Sequence, residues 1–497
     1  MPRRMCPTDH HSTADIDPPR GPRRIGSVTS HPRRAIAWFR RDLRLTDNRM
    51  LEAATRDAER VWPVFVADSA LLDTHAAAPA RVGWFDANVH ALDGRLREHG
   101  SCLTVLRGRP EEVLPRFAAD IGAETVHAAA DEDPVAITRD ERVGRVVDLR
   151  LADDQRILPP RELRTGGGDP YTVYTPFRRA LDARVDEAPE AVTGAAEADL
   201  SRLAPGPLAE DLRTGGARSS HELPDSGEQA ASGRLRAFLR ADVAGYRDER
   251  DRPDLDTTSH LSPYLRVGAI SVRACWRAAL SAAERARDRH DRRLAQAATT
   301  WRGELAWREF FAHVLAAHPR VATESFRPEY NSVEWADGAE ADEGVAAWRD
   351  GRTGFPFVDA GMRQLAATGW MHNRTRLVTA SFLVKDAGVD WRRGASVFAE
   401  RLLDADVQQN HGNWQWVAGV GTDAAPYFRI FNPTLQGRKF DPDGAYIRRW
   451  VPELADVETV HIHEPWRAPS PPNDYPPPML DHAEARARTL ARYSAAR

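Results

Sequence analysis

The stretch WRGELAWREFF brings together residue types that can do chemistry. Within it, Trp301, Glu304, Trp307 and Arg308 recur at the spacing of one helix face. A carboxylate and a guanidinium beside two indoles are costly to bury unless they have partners. The face is therefore either an aromatic core stripe with one ion pair, or a pocket wall. In a pocket the indoles would stack on planar rings and Glu304 would hydrogen-bond the edge of such a ring.

A run of hydroxyl side chains forms a second candidate. Thr257, Thr258 and Ser259 precede Leu261 and a helix start that contains proline. Hydroxyls and free backbone N–H groups at such a place can hold a phosphate, but Ser and Thr are also ordinary helix caps. This run alone leaves both interpretations open.

The most informative pattern lies between residues 368 and 416. Asp406, Asn410 and Trp414 recur every four residues on a helix that otherwise has a buried character, and Asp404 lies just before it. Buried carboxylates and amides need hydrogen-bond partners. No HExxH pattern and no cluster of His or Cys accompanies them, so the sequence predicts no metal site. An organic cofactor rich in hydroxyls and ring nitrogens suits these residues better.

Composition and charge restrict the class of protein. The 497 residues are 42% hydrophobic and 29% charged, without an apolar run near the roughly 20 residues that a membrane span requires. Three widely spaced cysteines, Cys6, Cys102 and Cys275, argue against a disulfide framework and fit a reducing cytosol. The net charge of −4 argues against polyanion binding by the whole surface, so any basic patch must be local. We expect a cytoplasmic enzyme.

The elements that must position these residues fall into two predicted domains. Residues 1–34 lack hydrophobic periodicity and are interpreted as a disordered tail. Short apolar runs at 35–39, 61–66, 102–106 and 124–130 alternate with amphipathic helices, which predicts a Rossmann-like parallel α/β sheet over residues 35–165. No GxGxxG follows the first run, so a dinucleotide-binding turn is not expected there. Residues 166–233 are interpreted as a long connector, and residues 234–497 as an all-α domain rich in tryptophan.

Taken together, the motifs resemble the cryptochrome/photolyase family, and most of all its class I cyclobutane pyrimidine dimer photolyases, from about Ala35 to Arg497. The matching segments are WFRRDLRLTDN, TSHLSPYL, WREFF, TGFPFVDAGMRQLAATGWMHNRTR, SFLVKD, GNWQWVAGVGTDAAPYFRIFNPTLQGRKFDPDG and WVPEL. The resemblance implies a monomer that binds FAD in its helical domain and UV-damaged DNA as its partner. It also implies repair by electron transfer from light-excited, reduced FAD to a pyrimidine dimer flipped out of the duplex.

The resemblance carries roles over to individual residues around the flavin. The implied flavin contacts are Tyr246, Thr258, Ser259, His260, Leu261, Ser262, Trp301, Arg308, Asn373, Arg376, Asp404, Asp406 and Asn410. Asn410 would lie at flavin N5, where a neutral amide favours the reduced anionic cofactor. The matching positions for an electron relay from the surface are Trp414, Trp391 and Trp335, although three large core residues would look the same in sequence.

The resemblance also implies a lesion pocket and its DNA contacts. Glu304 would hydrogen-bond the dimer and stabilise its radical anion, while Trp307 and Trp416 would flank it. The full set of implied lesion and DNA contacts is Arg250, Glu304, Trp307, Asn373, Arg374, Leu377, Trp416, Arg429 and Gln436. Leu377 stands where many relatives have Met, so we expect altered efficiency rather than lost activity.

An antenna chromophore is also expected, and its identity stays open. His75 and the PARVGW segment resemble the antenna domain, but Val135 and Ala136 replace the Asn-Glu pair associated with folate. The candidates are 8-hydroxy-5-deazaflavin and 5,10-methenyltetrahydrofolate.

Three other functions compete with dimer repair. A cryptochrome photoreceptor usually has a long C-terminal extension, whereas this chain stops at Arg497, within the shared domain. A photolyase for (6-4) photoproducts would carry a His-rich signature where TGWMHNR stands, and His372 alone does not reproduce it. A dark flavin oxidoreductase would need a nicotinamide site, which the sequence does not indicate.

Overall fold

A computed structural model describes residues 34–68, 78–205, 223–426 and 428–496 of the chain. The predicted disordered tail lies outside these residues except for Arg34, with which the first strand begins. Residues 206–222 of the predicted connector lie outside them too. No helix among the described residues is both long and apolar enough to cross a membrane.

A five-stranded parallel sheet forms the first half of the fold. In chain order the strands are β1 (Arg34–Phe39), β2 (Arg60–Ala67), β3 (Thr104–Arg107), β4 (Thr125–Ala129) and β5 (Asp148–Ala152). Their order across the sheet is β3-β2-β1-β4-β5, and Ala35 of the central strand lies opposite both Val61 and Thr125. Every residue of β1 after Arg34 is buried, because helices cover both faces of the sheet. The predicted α/β class is confirmed.

Helices connect consecutive strands of the sheet. They are α1 (Arg49–Asp57), α2 (Pro79–Glu98), α3 (Pro110–Ile121) and α4 (Pro134–Gly144). Several begin at recognisable start signals: the Asn48 side chain accepts from the N–H of Leu51, and Asp133 accepts from that of Val135 just before Pro134. The strand β5 escaped the sequence prediction because its leucines alternate with Asp148 and Arg150 at a half-exposed edge.

Helices make up the second half of the described chain, which contains no further strand beyond β5 in its described residues. They are α5 (Tyr174–Glu187), α6 (Gly227–Ala241), α7 (Tyr246–Glu249), α8 (Ser262–Val267), α9 (Val272–Asp288), α10 (Arg292–Ala317), α11 (Gly338–Arg349), α12 (Pro356–Thr368), α13 (Asn373–Ser381), α14 (Trp391–Arg401), α15 (Val407–Ala418), α16 (Pro433–Phe440), α17 (Ala445–Trp450) and α18 (His482–Ala495). A wide π turn spans Phe382–Asp386, and short 3₁₀ turns span Pro189–Ala191, Leu200–Arg202, Pro319–Ala322, Pro328–Ser332, Pro452–Leu454 and Pro465–Arg467. The predicted all-α domain is confirmed as a fold class, while the exact boundaries at residues 165 and 233 stay a prediction.

One apolar core joins the sheet to the first helices of the helical half. It includes Phe39 of β1, Phe310 of α10 and Phe177 of α5, a helix inside the predicted connector. The rings of Phe177 and Phe310 lie 5.3 Å apart between centroids. A second core lies farther along the chain and contains Trp391 and Trp414. Leu43 and Leu45, which follow β1, belong to the first core, so this segment packs directly against the helices that carry the candidate site.

Buried charges reinforce this junction. Arg273 of α9 is fully buried and forms ion pairs of 2.9 Å with both Asp47 and Asp154. The N–H of Leu43 donates to the carbonyl of Val267 at the end of α8. These contacts join residues of the two halves, and breaking a buried ion pair is strongly destabilising. The two halves are therefore fixed relative to each other at this place.

Candidate functional site

A cavity of about 690 Å³ opens among the helices α7, α8, α10, α13, α15 and α16 and the residues just before α15. Most of the predicted flavin contacts line it: Tyr246, Ser259, Leu261, Ser262, Trp301, Arg308, Asn373, Arg376, Asp404 and Asp406. All predicted lesion and DNA contacts line it as well: Arg250, Glu304, Trp307, Asn373, Arg374, Leu377, Trp416, Arg429 and Gln436. The wall carries seven basic and four acidic side chains, a formal excess of three positive charges that suits an anionic ligand.

Arg376 and Asp404 form a two-point ion pair in the cavity wall. Two guanidinium nitrogens of Arg376 donate to the two carboxylate oxygens of Asp404 at 3.1 and 2.8 Å, and its Nε donates to the carbonyl of Met371 at 2.8 Å. This fork geometry is the strong form of an Arg–carboxylate pair. The pair connects α13 to the segment before α15, so it holds together the two sides of the wall that the resemblance assigns to the flavin.

Asp406 caps α15 and faces a group of arginines. Its carboxylate accepts from the N–H of Gln408 at 3.2 Å and forms an ion pair with Arg41, from the segment after β1. Burial acts to raise the pKa of Asp406, but Arg41, Arg266 and further arginines outweigh it and hold the pKa well below its usual range. Asp406 is therefore charged at neutral pH.

Arg266 was missed in the sequence, yet it lines the cavity next to Asp406. Burial, and then the charge of Arg41, lower the pKa of Arg266 to about 10. Burial and the charge of Arg156 likewise lower the pKa of Arg308. An anion in the cavity would relieve this repulsion between guanidinium groups. The position of Arg266, one helical turn after Ser262 on α8, is the sequence signal that could have revealed it.

Arg234 binds the backbone of the hydroxyl run before α8. This arginine donates to the carbonyls of Thr258 and Ser259 at 2.8 and 2.9 Å, while the Thr258 hydroxyl is buried and has no hydrogen-bond partner within the protein. A buried hydroxyl without a partner is costly, so a ligand atom or a water molecule there would stabilise it. Thr258 itself is not among the cavity-lining residues.

His260, next in the chain, lies against Trp370 instead of lining the cavity. The two rings are 4.1 Å apart between centroids, and a ring nitrogen of His260 lies 2.7 Å from a carboxylate oxygen of Asp256. His260 has a positive φ of 50°, which is uncommon for a residue other than glycine. The prediction of His260 as a direct flavin contact stays a prediction, and its geometry indicates a supporting position behind the wall.

Glu304 and Trp307 of α10 form the part of the wall assigned to the lesion. The Glu304 carboxylate pairs with Arg250, at the end of α7. The Trp307 ring stacks on Tyr174, with centroids 3.7 Å apart and planes within 5°. Tyr174 begins α5 in the predicted connector, and this role was missed because nothing in that segment's composition indicates a contact with the cavity.

Arg374 lies at the rim of the cavity with two partners. Its guanidinium pairs with Asp251 at 2.9 Å and lies over the ring of Phe440, 4.4 Å from the ring centroid. Trp416 and Leu377 are partly buried and pack against the second core. Basic, aromatic and apolar groups thus surround one opening.

Asn410 is buried on α15 but lies outside the set of cavity-lining residues. Its side-chain Nδ2 donates to the carbonyl of Ala395 at 2.8 Å. This bond connects α15 to α14 and fixes the amide. The assignment of Asn410 to flavin N5 stays a prediction.

The three tryptophans of the predicted relay are not among the cavity-lining residues. Trp391 and Trp414 are buried, and Trp335 is partly exposed. Trp414 fits against α14 at Gly394, one turn after Trp391, so closely that an added Cβ would lie 2.1 Å from the indole. Trp414 also contacts Trp348 edge to face, with centroids 6.1 Å apart. The buried-to-exposed order along the three positions agrees with a path toward the surface without testing it.

The antenna region is only partly described. His75 lies outside the described residues, while Val135 and Ala136 lie at the start of α4, where Val135 is exposed. The choice between deazaflavin and folate therefore stays open.

Comparison with known proteins decides the family. Residues 35–194 match the family model described as DNA photolyase, and residues 301–495 match the model described as the FAD binding domain of DNA photolyase. The deoxyribodipyrimidine photo-lyase of Halobacterium salinarum is 41% identical over 489 residues, which cover 93% of this chain and 99% of the relative. The chain belongs to the photolyase/cryptochrome family. The family resemblance found in the sequence is thereby confirmed, and the helical half is an FAD-binding domain of this family.

Two further relatives agree with this assignment. The deoxyribodipyrimidine photo-lyase of Escherichia coli is 38% identical over 488 residues, covering 95% of this chain and 99% of that protein. A class III photolyase from Agrobacterium tumefaciens superposes with a TM-score of 0.84 at 36% identity, covering 94% of this chain and 98% of that one. Sequence and fold thus agree over nearly the whole photolyase length.

Proposed function

We propose that this photolyase repairs cyclobutane pyrimidine dimers in DNA, using FAD and blue light. The observation that carries the proposal is the single cavity shared by the residues assigned to the flavin and those assigned to the lesion. Electron transfer requires the donor and the acceptor to lie close together, and a shared cavity meets that requirement. The names of the relatives from Halobacterium salinarum and Escherichia coli support the same reaction.

The wall residues fit FAD. The arginines Arg266 and Arg308 suit its pyrophosphate, and the Arg376–Asp404 pair suits its polar ring edge. Thr258 does not line the cavity but precedes the wall residue Ser259, and its buried hydroxyl without a partner suits a further polar atom. When bound and reduced, FAD supplies on excitation the electron that splits the cyclobutane ring, and it recovers that electron afterwards.

The chain's own residues bind and orient the dimer. Trp416 and Trp307 offer aromatic surfaces for the flipped bases, each worth roughly 1–3 kcal/mol per stacked base. Glu304 can hydrogen-bond the dimer once it leaves Arg250, and Leu377 closes an apolar side of the pocket. Arg374, Arg429 and Gln436 at the cavity are suited to the DNA backbone.

The tryptophans Trp335, Trp391 and Trp414 would bring external electrons to resting FAD. The replacement Trp391→Phe tests this role separately from repair. We expect the variant to lose photoreduction by an external thiol and to keep repair activity when its flavin is reduced chemically. Unchanged photoreduction would remove Trp391 from the relay.

Repair itself is tested with the purified, reduced protein and dimer-containing oligothymidylate under blue light. Recovery of thymine absorbance supports the proposal, and its absence overturns it. A parallel sample with (6-4) photoproducts tests that alternative substrate. Stable light-induced flavin changes without repair of either lesion would instead indicate a cryptochrome photoreceptor.

Several further properties belong to the same proposal. We place the enzyme in the cytoplasm, associated with the nucleoid when bound to DNA, and we expect a monomer with a second, antenna chromophore. We also propose that the α/β domain covers residues 35–165, the connector residues 166–233 and the helical domain residues 234–497. The absorption spectrum of the purified protein identifies the antenna, because deazaflavin, folate and FAD absorb at different wavelengths, and light scattering gives the oligomeric state.

A further inference from the structure

Two consecutive residues of opposite charge, Arg250 and Asp251, form ion pairs with two different helices of the cavity wall. Arg250 pairs with the Glu304 carboxylate on α10, and Asp251 pairs with the Arg374 guanidinium at the start of α13. All four side chains line the cavity. The pair of neighbours therefore engages one group assigned to the lesion and one assigned to the DNA backbone.

The contact between Asp251 and Arg374 has defined geometry. Two nitrogens of Arg374 approach the two oxygens of Asp251, at 2.9 and 3.3 Å, and the guanidinium carbon lies over the Phe440 ring, 4.4 Å from its centroid. The Arg374 side chain is 17% exposed and that of Asp251 is 34% exposed, so water screens the pair only in part. A phosphate that approaches Arg374 must compete with a carboxylate already in place.

We propose that Asp251 is a specificity-determining residue that keeps Arg374 away from undamaged DNA. Binding to undamaged duplex is mainly electrostatic and provides no pocket contacts that could offset the loss of this ion pair. A flipped dimer does provide them, through Trp307, Trp416 and Glu304. Arg374 thus contacts phosphate in the lesion complex and stays paired with Asp251 in the non-specific one.

The adjacency of Arg250 and Asp251 supplies the coupling between pocket and rim. When Glu304 turns to a dimer, Arg250 loses this partner, and the Asp251 carboxylate next to it in the chain, whose charge already acts on Arg250, becomes an alternative partner. A carboxylate shared with Arg250 holds Arg374 less tightly at the moment when the lesion is seated. The inference rests on the proposed function, because it needs a lesion that recruits Glu304.

The test compares the salt dependence of DNA binding by the FAD-containing protein in darkness. Dissociation constants are measured for undamaged and dimer-containing duplexes between about 50 and 200 mM NaCl, a range in which each phosphate contact changes affinity by about threefold. For Asp251→Asn, we expect the slope of log affinity against log salt on undamaged duplex to steepen by about 0.9, the value of one added phosphate contact. The slope on damaged duplex should stay unchanged, so that the preference for the lesion falls.

Asp254→Asn is the matched control. Asp254 lies three residues farther on, pairs with Arg252 at 2.8 Å and is outside the cavity wall. The replacement Asp254→Asn removes the same charge and leaves the Asp251–Arg374 pair in place, so both slopes should equal those of the unmodified protein. A steeper slope on undamaged duplex in both variants would assign the effect to net charge and overturn the proposal.

Arg374→Gln gives an independent answer even if Asp251→Asn folds poorly. It should leave the slope on undamaged duplex unchanged and reduce the slope on damaged duplex by about 0.9. A reduction on both duplexes would mean that Arg374 contacts undamaged DNA, which contradicts the proposal. If the unmodified protein neither prefers nor repairs damaged duplex, the proposed function fails; if it does both and the variants change no slope, only the role of Asp251 fails.

Discussion

The ring of Tyr174 lies parallel to the indole of Trp307, 3.7 Å away between centroids. Two further bonds hold the tyrosine: its hydroxyl donates to the carbonyl of Gly303 at 2.8 Å, and its backbone N–H donates to the Asp423 carboxylate at 3.1 Å. Since Tyr174 covers one face of Trp307, a base in the cavity can meet only the other face or the edge. Tyr174 therefore determines how Trp307 is presented to the lesion.

Replacing Tyr174 should weaken lesion binding without changing the photochemistry of a bound lesion. Tyr174→Leu removes a stacking contact worth about 0.5–1.5 kcal/mol, so we expect dimer-containing DNA to bind about twofold to tenfold more weakly. Tyr174→Phe keeps the stack and should bind almost normally. Dark titrations give the affinity, and repair per photon at saturating DNA gives the photochemistry. A loss of repair at saturation would assign Tyr174 a role beyond positioning.

Flavin retention should depend on the fork between Arg376 and Asp404. Arg376→Gln leaves a buried carboxylate without its guanidinium, and because Arg376 is partly exposed we expect a loss on the order of 2 kcal/mol in flavin binding. The ratio of flavin to protein absorbance after gel filtration measures it. Arg393→Gln breaks a pair with Asp342 on the surface and serves as the control. Equal flavin content in both variants would contradict the assignment of Arg376.

Much of the site could be predicted because helical periodicity determines which side chains share a face. Trp301, Glu304 and Arg308 repeat along α10, and all three line the cavity. The strand β5 and the contact of Tyr174 could not be predicted in this way. A half-exposed edge strand carries a weak apolar pattern, and a stacking contact made across some 130 residues leaves no local trace.

The arginines around Asp406 show a second limit. Arg41 belongs to a motif of the α/β half, and only the packing of that half on the helices brings it to Asp406. Arg266 lies on a short helix, where the sequence offers just one turn of periodicity. The spacing from Ser262 can indicate Arg266 as a wall residue, but the approach of Arg41 and Arg266 to Asp406 depends on tertiary packing and follows only from the fold.

Gly268 should be intolerant of any side chain. It follows α8 with φ of 71°, and a Cβ there would lie 1.9 Å from the carbonyl oxygen of Arg41. Gly268→Ala must therefore separate α8 from the segment after β1, and we expect a loss of more than about 3 kcal/mol in stability, together with flavin release. Gly94→Ala is the contrasting control, since a Cβ within α2 would meet nothing within 4 Å. Thermal unfolding should show a gain of about 0.5–1 kcal/mol for Gly94→Ala.

His372 should make stability fall as the pH falls. Its Nδ1 accepts from the N–H of Arg374 at 3.1 Å as the cap of α13, which requires a neutral ring. Burial lowers its pKa to about 4 from an ordinary 6.5, with the charges of Asp251 and Asp256 opposing the shift and those of His260 and Arg374 adding to it. Between these two pH values the unfolded chain binds a proton that the folded protein does not. Stability is therefore complete above about pH 6.5 and loses about 3 kcal/mol toward pH 4.

The replacement His372→Asn isolates this contribution. Asparagine can cap the helix through its side-chain oxygen and does not titrate, so α13 keeps its cap. Burial also lowers the pKa of His127 to about 4 and that of His313 to about 3, so the variant should keep part of the acid sensitivity. We expect the difference between the thermal midpoints of the two proteins to change between about pH 4 and pH 6.5, where only the unmodified protein gains this stability as the pH rises, and to stay constant above about pH 6.5. Parallel curves across the whole range would show that His372 titrates alike in the folded and unfolded chain.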